Sequence, residues 1–305
     1  MRALVTGGRG FVGRWLLEHL EGEGDEVRVI DAETDVTDEQ AVEEAIMASR
    51  PDAVYHLAAR THVGESWREP LDVLRVNVLG TAAVLAAARR AALDATVLVV
   101  SSSEVYGSLS PGELPVAETA PLRPVTPYAA SKAAAEQVAL QAWRGYGQRI
   151  VVARPFNHVG PGQSTGFAVP ALARRVLEAR RDGRRELVVG TVTTRRDFTD
   201  VRDVVRAYRL LVERAAPGSV YNVCSGRDVA IADVAHLVMG LAGVELRLVT
   251  DPDLVRPVDS SVVRGDPSLL YEATGWSPRL SLDTTLRDVL QHLEAEAGHA
   301  PGVTS

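Results

Sequence analysis

The chain of 305 residues has little cysteine, no long apolar run and no excess of positive charge. Its single cysteine, Cys224, excludes a disulfide framework and favours a reducing compartment, so we expect a cytoplasmic protein with this thiol buried. No apolar run approaches the roughly 20 residues of a membrane-spanning helix. Residues 1–8 are typical of a strand and a turn rather than of a signal peptide. Secretion and membrane insertion are therefore disfavoured.

Two further absences narrow the function. The net charge of -7 and the pI of about 5.6 argue against a nucleic-acid surface, although arginines cluster at residues 180–196 and suit a smaller anion. The seven histidines are scattered, and the sequence has no repeat, no low-complexity tract and no clustered metal-ligand spacing. We therefore predict no metal site.

Hydrophobic residues make up 46% of the chain, enough to bury the core of one large α/β domain or of two domains. Short apolar runs alternate with helical patterns over residues 1–158, which predicts a Rossmann-type doubly wound parallel sheet. The alternation loosens afterwards, so we expect a smaller α/β substrate-binding domain over residues 159–305. A segment at about 192–228 contains a late strand, residues 219–224, that is expected to return to the main sheet.

A glycine loop follows the first apolar run. Gly7, Gly10 and Gly13 form the pattern G-x-x-G-x-x-G between a strand and an amphipathic helix. The first glycine permits a tight turn, the second lets the backbone approach a pyrophosphate, and the third lets the helix pack closely on the strand. The helix N-terminus offers free N–H groups and a positive dipole end to an anion. The pattern predicts a dinucleotide site, with plain turn glycines as the alternative.

Asp31 bears on the choice of dinucleotide, because it stands at the C-terminal end of the second predicted strand. A carboxylate there accepts hydrogen bonds from the ribose hydroxyls of NAD and repels the 2′-phosphate of NADP. Arg9, a cation in the glycine loop, would tolerate the 2′-phosphate of NADP. We therefore predict NAD(H) as the cofactor, with NADP(H) as the second candidate.

The segments around the second and third predicted strands carry smaller signals. Thr37 and Gln40 have the spacing of a capping box, which predicts a helix after Thr37. His56 lies inside the third strand and is expected to be a packed core histidine. Ala58 and Ala59, which follow that strand, are small enough for a cofactor to lie against the backbone.

Tyr128 and Lys132 are four residues apart in a predicted helix and therefore share one face. Because an ammonium group favours a nearby phenolate, we expect Lys132 to lower the pKa of Tyr128 from about 10 toward neutrality. Ser102 follows the buried strand that precedes this helix, and its hydroxyl suits a carbonyl oxygen that Tyr128 protonates. Glu104 suits three roles equally: general base, acceptor for a substrate hydroxyl, or structural partner.

Polar residues of the second half extend the predicted site. Asn157 is either an uncharged hydrogen-bonding group at the pocket or a turn former. Arg196 either holds Asp197 or reaches a diphosphate. Asp200 is expected to cap the helix that follows it.

Several motifs together resemble a known family. They are TGGRGFVG, HLAA, SSSEVYG, YAASK and RPFNHVGPGQ, in this order. Over nearly its whole length the chain resembles the extended short-chain dehydrogenase/reductase family that acts on nucleotide-sugars. Within it, the segments RPFNHVGPGQSTGF, RRDFTDVRDVVRAY, VYNVCSG and LVRPVD together look most like the GDP-4-keto-6-deoxy-D-mannose reductases, which form GDP-D-rhamnose.

The resemblance implies roles for individual residues. Ser102, Tyr128 and Lys132 would form a catalytic triad, with Lys132 also binding the nicotinamide ribose. The NAD(P)-binding domain, residues 1–158, would contact its cofactor through Gly7, Gly10, Phe11, Val12, Asp31, Asp35, Val36, Leu57, Ala58, Ala59, Tyr128, Lys132 and Pro155. A GDP-sugar would contact Ser103, Glu104, Asn157, Arg196, Arg256 and Asp259. Guanidinium groups pair bidentately with phosphate oxygens, which suits the two arginines to the diphosphate.

One departure keeps a second enzyme open. The related GDP-mannose 4,6-dehydratases carry a threonine where Ser102 stands and use a glutamate matching Glu104 as the base at C5 of the sugar. They are also typically longer and prefer NADP, whereas this chain is short between Asp31 and Thr37 and has an acid at the ribose position. Both differences favour the reductase. A cofactor-retaining 4,6-dehydratase or 4-epimerase is the alternative. A dinucleotide-sensing protein without catalysis is a remote third reading, against which the complete triad argues.

Two alanine-rich helices, about residues 71–92 and 126–146, are predicted to be apolar on broad faces. Such faces suit close two-fold packing of helices, and relatives pair in this way. We therefore predict a homodimer.

Overall fold

The computed structural model describes residues 1–31, 33–251 and 261–299. Its strands are β1 (Arg2–Thr6), β2 (Glu26–Ile30), β3 (Ala53–His56), β4 (Thr96–Val100), β5 (Ile150–Pro155), β6 (Asn157–Val159), β7 (Glu186–Val189), β8 (Arg195–Asp200), β9 (Val220–Val223), β10 (Asp228–Ala230), β11 (Arg247–Thr250) and β12 (Val262–Val263). Its α-helices are α1 (Phe11–Gly22), α2 (Glu39–Ser49), α3 (Val63–Ser66), α4 (Pro70–Leu74), α5 (Gly80–Ala91), α6 (Pro127–Tyr146), α7 (Ala168–Arg181), α8 (Val201–Arg214), α9 (Ile231–Leu241), α10 (Ser268–Thr274) and α11 (Leu282–His299). A π-helical turn, Arg75–Leu79, joins α4 to α5, and 3₁₀ turns cover Ser103–Tyr106 and Pro111–Glu113.

The central sheet has six parallel strands in the order β2-β1-β3-β4-β5-β9. The chain runs outward from β1 to β2 and then crosses back to β3, so the direction of winding reverses between β1 and β3. Open parallel sheets bind ligands outside the carboxyl ends of their strands at such a reversal. The arrangement confirms the predicted Rossmann-type sheet and the return of residues 219–224 to it as β9.

Both faces of this sheet are covered by helices, which explains why β3 and β5, in its interior, are buried along their whole length. Alternate residues of a strand point to opposite faces. Thus Ala3 and Val5 pack with α1 and α8, whereas Leu4 between them packs with α2, α5 and α6. The carboxyl edge of the sheet is left to carry the polar groups.

A separate apolar core lies outside the central sheet, formed by α7, α9 and α11 with β7 and β11. A second sheet, in the order β10-β8-β12, also takes in β6 as a partner of β8. Because β6 follows β5 almost directly, the second sheet begins at the carboxyl edge of the first. The division into two domains at residue 158 stays a prediction.

The helix expected over residues 71–92 runs continuously from Pro70 to Ala91. By length and composition it would suit a membrane span, so the expectation that no segment approaches that length is wrong. Half of it is nevertheless buried within the protein, as in the core helix of a soluble protein. The apolar composition therefore has a second explanation in packing.

Two predicted helix caps had different outcomes. α2 begins at Glu39, and the side chain of Asp38 accepts from the backbone N–H groups of Gln40 and Ala41, each at 3.1 Å. The Thr37 cap is therefore wrong, because a charged acceptor stands one residue further along the chain. Asp200 caps α8 as predicted, accepting from the N–H of Arg202 at 2.8 Å.

Candidate active site

The glycine loop, residues 7–13, joins β1 to α1 at the carboxyl edge of the sheet. Gly7 has a φ of +72°, and a Cβ there would lie 2.9 Å from the backbone nitrogen of Ala58. A Cβ on Gly13 would lie 2.3 Å from the carbonyl oxygen of Gly7 and 2.6 Å from that of Gly8. The third glycine therefore packs the helix on the loop itself, rather than on the strand as predicted.

The loop fits a dinucleotide. Gly10, at the N-cap of α1, provides no side-chain hydrogen bond to the first turn. The N–H groups at the start of the helix, which include Phe11 and Val12, therefore suit a pyrophosphate. Asp31 lies beside this loop, since its carboxylate accepts the backbone N–H of Arg9.

The side chain of Arg9 forms an ion pair with Glu33, a residue that sequence reasoning did not single out. Both side chains are more than half exposed. The positive charge of Arg9, which would favour a 2′-phosphate, is thus partly neutralised by the carboxylate of Glu33. An acid at this distance along a loop leaves no periodic signal in the sequence.

The other predicted cofactor residues occupy the same edge. Asp35 accepts the hydroxyl of Thr37 at 2.8 Å and a guanidinium N–H of Arg75 at 3.2 Å, and Val36 beside it is buried. Leu57, Ala58 and Ala59 follow β3, and Pro155 ends β5. Because parallel strands end at one edge, the fold brings these residues to the side of the glycine loop.

His56 is a buried core histidine, as predicted, with a defined tautomer. The Thr81 hydroxyl donates to the carbonyl of Asn77 at 2.6 Å, so it must accept from His56 Nε2 at 3.0 Å. Nδ1 then accepts from the Thr6 hydroxyl at 2.8 Å, and the same hydroxyl oxygen accepts the N–H of Ala58 at 3.1 Å. Burial, followed by the charge of Lys132, lowers the pKa of His56 to about 3. The neutral ring thus braces the backbone under the predicted cofactor.

The three predicted catalytic residues come together at the carboxyl end of β4. Thr126 caps α6 by accepting the N–H of Ala129 at 3.0 Å, which places Tyr128 in the first turn. The phenol of Tyr128 is hydrogen-bonded with the hydroxyl of Ser102. Lys132 Nζ donates to the carbonyl of Val100 at 2.8 Å. The side chains of this trio are almost fully buried.

The electrostatics of the trio differ from the prediction. Burial raises the pKa of Tyr128 to about 12, and its hydrogen bond with Ser102 only partly offsets this. Burial also lowers the pKa of Lys132 to about 8. The expected lowering of the tyrosine pKa is therefore wrong in this structure, because desolvation raises the pKa and the ammonium is directed to a backbone carbonyl. At neutral pH the phenol carries its proton and most of the lysine remains charged.

Glu104 and Ser103 lie on the 3₁₀ turn that follows β4. Glu104 is exposed, and its negative charge contributes to raising the pKa of Tyr128, after burial. Because the carboxylate of Glu104 is close enough to affect the pKa of Tyr128, it faces the same region as Ser102, Tyr128 and Lys132. Its position agrees with contact to a substrate and does not choose between the three roles predicted for it.

Sequence reasoning missed the role of Asn77. This buried residue sits in the π-helical turn, where its Oδ1 accepts the N–H of Arg60 at 2.7 Å. Its Nδ2 donates to the carbonyl of Arg60 at 3.1 Å and to the hydroxyl of Ser131 at 2.8 Å. Ser131 in turn donates to the carbonyl of Tyr128 at 2.7 Å. Asn77 therefore ties the loop after β3 to the turn of α6 between Tyr128 and Lys132.

The predicted substrate contacts begin where the second sheet meets the first. Asn157 opens β6 and is exposed, and Arg196 lies half-buried on β8. Asp197 points to the opposite face of β8, where it accepts the N–H groups of Ser225 at 2.8 Å and Gly226 at 3.0 Å. This argues against pairing between Arg196 and Asp197. Two further predicted contacts, Arg256 and Asp259, lie outside the described residues.

A family model described as the NAD dependent epimerase/dehydratase family matches residues 3–224. The chain belongs to this family. The match confirms the resemblance to nucleotide-sugar enzymes, and it covers the glycine loop, the trio and β9.

Individual members of the epimerase/dehydratase family resemble the chain over nearly its full length. It is 37% identical to the GDP-6-deoxy-D-mannose reductase of Pseudomonas aeruginosa, covering 96% of this chain and 97% of the relative. It is 30% identical to a dTDP-glucose 4,6-dehydratase of Streptomyces niveus, covering 95% and 92%.

Solved structures agree with this assignment. RMD from Pseudomonas aeruginosa, complexed with NADPH, superposes with a TM-score of 0.90 at 36% identity, covering 97% of this chain and all of that one. UDP-glucose 4-epimerase from Thermus thermophilus, complexed with NAD, has a TM-score of 0.86 at 31% identity, covering 96% and 99%. Both dinucleotides therefore occur among the structural relatives.

Proposed function

We propose that the protein is an NAD(P)H-dependent reductase that converts the C4 ketone of GDP-4-keto-6-deoxy-D-mannose into the hydroxyl of GDP-D-rhamnose. The observation that carries this proposal is the buried Tyr128, hydrogen-bonded with Ser102 and one helical turn from Lys132. The trio lies at the carboxyl edge of a dinucleotide-binding sheet, in a chain that resembles a GDP-6-deoxy-D-mannose reductase.

Tyr128 is the proton donor in this reaction. A pKa of about 12 keeps the phenol protonated at neutral pH, ready to protonate the C4 oxygen. A nicotinamide bound at this edge of the sheet would supply the hydride. Ser102 holds the same oxygen, and its hydroxyl together with the charge of Lys132 stabilises the phenolate left after proton transfer.

The substrate is held from the second sheet. Asn157 lies beyond the carboxyl end of β5, where its amide donates to or accepts from a sugar hydroxyl, or donates to a phosphate oxygen. Arg196 on the neighbouring β8 contributes a guanidinium group to the diphosphate, with Arg256 and Asp259 as its predicted companions. Ser103 and Glu104 contact the sugar from the side of the trio.

The test is loss of nicotinamide absorbance with GDP-4-keto-6-deoxy-mannose and NADH or NADPH. We expect turnover by the wild type and a loss of about 100-fold or more in kcat for Tyr128→Phe. Tyr271→Phe, which alters an exposed tyrosine on α10, is the matched control. Near-full turnover by Tyr128→Phe would refute the assignment.

A self-recycling 4,6-dehydratase or 4-epimerase is the second candidate, favoured by the position of Glu104 beside the phenol. Such an enzyme retains its cofactor between turnovers, whereas a reductase must exchange it. Intact dinucleotide in the denatured protein, together with no loss of absorbance, would support this alternative. Glu104→Gln should then abolish activity.

We also propose that the protein is a cytoplasmic homodimer. Leucines on the helix from Pro70 to Ala91 are exposed, with Leu71 at 80% and Leu79 at 58%. Leu71→Asp should therefore yield monomers in sedimentation experiments, whereas Leu269→Asp, an exposed leucine on α10, should not. A wild-type protein that is only monomeric at micromolar concentration would contradict the dimer.

A further inference from the structure

A buried ion pair lies directly behind the predicted catalytic residues. It joins Glu136 of α6 to Arg154 of β5, whose side chains are 0% and 5% exposed. Oε2 of Glu136 accepts two hydrogen bonds, one from the Nε–H of Arg154 at 3.1 Å and one from the hydroxyl of Ser101 at 3.0 Å. Glu136 follows Tyr128 and Lys132 at the same interval of four residues, so all three side chains lie on one face of α6.

The other side of the pair reaches the 3₁₀ turn after β4. Arg154 donates to the hydroxyl of Tyr106 and to the carbonyl of Glu118, each at 2.9 Å. Its guanidinium group also lies over the Tyr106 ring, 5.0 Å from the centroid. The Tyr106 hydroxyl donates in turn to Asn222 on β9 at 2.6 Å. The guanidinium group therefore links α6 to the end of the turn that carries Ser103 and Glu104.

Two of the residues that the pair contacts are close in the chain to residues of the site. Ser101 precedes Ser102, and Tyr106 follows Glu104 by two residues. The pair therefore fixes α6, which carries the phenol, against the segment that carries the hydroxyl hydrogen-bonded to it. Shifts of about 1 Å between such groups lower turnover by as much as 100-fold.

Stability alone does not account for a charge pair at this place. Desolvation of two buried ions offsets most of their attraction, so apolar side chains of similar volume stabilise a fold equally well. Apolar side chains, however, make no directional hydrogen bonds to Ser101 and Tyr106. The directional contacts are what distinguishes this pair from ordinary core packing.

We propose that the Glu136–Arg154 pair is a positioning element, which sets the separation of Ser102 from Tyr128 through Ser101 and Tyr106. The proposal rests on the proposed reductase function, in which both hydroxyls meet one substrate oxygen. Neither member of the pair touches the substrate, so its contribution is to kcat rather than to binding.

Two mild variants test the inference, since each removes a hydroxyl that contacts the pair and leaves the ion pair itself. Tyr106→Phe also removes the hydrogen bond to Asn222. Ser101→Ala and Tyr106→Phe should each lower kcat about tenfold, with both KM values within about twofold of wild type. Ser101→Thr, which restores the hydroxyl, should recover most of the activity. Thr285→Val is the matched control, because it removes a buried hydroxyl that donates to Asp200 at 2.6 Å far from the site in the chain.

The outcomes separate positioning from packing. Thr285→Val should lower the melting temperature and leave kcat unchanged. If Ser101→Ala and Tyr106→Phe behave in the same way, the pair is structural and the inference fails. If the wild type itself shows no reductase turnover, the proposed function fails instead. Crystal structures of the wild type and of Ser101→Ala then decide the inference. A longer distance between Ser102 Oγ and the Tyr128 hydroxyl in the variant supports the inference, and an unchanged distance overturns it.

Discussion

Replacing Gly13 by alanine should cost the protein its dinucleotide while leaving most of the fold intact. The new Cβ would lie 2.3 Å from the carbonyl oxygen of Gly7, whereas the tight contact at Gly10 is 3.2 Å. Reaching even that distance requires the loop to retreat by about 0.9 Å, the difference between the two contacts. Backbone atoms give way less easily than side chains, and overpacking of this kind costs about 1–3 kcal/mol of stability.

The displaced loop carries the N–H groups that suit the pyrophosphate. A shift of nearly 1 Å lengthens these hydrogen bonds beyond their normal range. We expect affinity for NADH and NADPH to fall about 10- to 100-fold, which corresponds to about 1.4–2.7 kcal/mol. The assay is titration of nicotinamide fluorescence at fixed protein concentration, with thermal unfolding of the same samples.

Gly22→Ala supplies the control, because it places the same methyl group on the same helix. A Cβ there meets nothing within 4 Å, so affinity should stay at the wild-type value. Stability should rise by about 0.5–1 kcal/mol, as expected for Gly→Ala in a helix. A folded Gly13→Ala protein that binds both dinucleotides as tightly as wild type would refute the argument from loop geometry.

Three further predictions concern charge. Burial brings the pKa of Lys132 to about 8, and its charged form stabilises the phenolate, so kcat/KM for the dinucleotide should fall as pH rises above about 8. A pH profile that stays flat to about pH 9.5 would exclude stabilisation of the phenolate by Lys132. His56 has a pKa of about 3 when folded and about 6.5 when unfolded, so the unfolded chain binds the proton first and stability should decline as pH falls from about 6.5 toward 3. His56→Gln should flatten that decline in urea unfolding, and an unaltered slope would point to other groups. Glu33→Gln should release Arg9 and raise the preference for NADPH over NADH by about two- to fivefold, whereas Arg9→Ala should lower this preference. The same ratio of NADPH to NADH activity in both variants would show that the exposed ion pair has no part in cofactor selection.

The sequence by itself determined the features that repeat over a few residues. The sequence predicted a buried strand before Ser102 and a turn at the glycine pattern, and the structure contains them as β4 and the loop after β1. The interval between Tyr128 and Lys132 predicted a shared helix face, and α6 provides it. Such signals are local, because backbone geometry alone sets the periods of strands and helices.

Only the tertiary structure decided how these groups behave chemically. The pKa of Tyr128 rises rather than falls, because burial among other elements raises it and the ammonium of Lys132 is directed to the carbonyl of Val100. The contacts of Asn77, and those that join Glu136 to Arg154, unite residues from distant parts of the chain that no local pattern relates. Desolvation and long-range hydrogen bonding depend on which elements pack together, and that is settled only when the sheet and its helices have assembled.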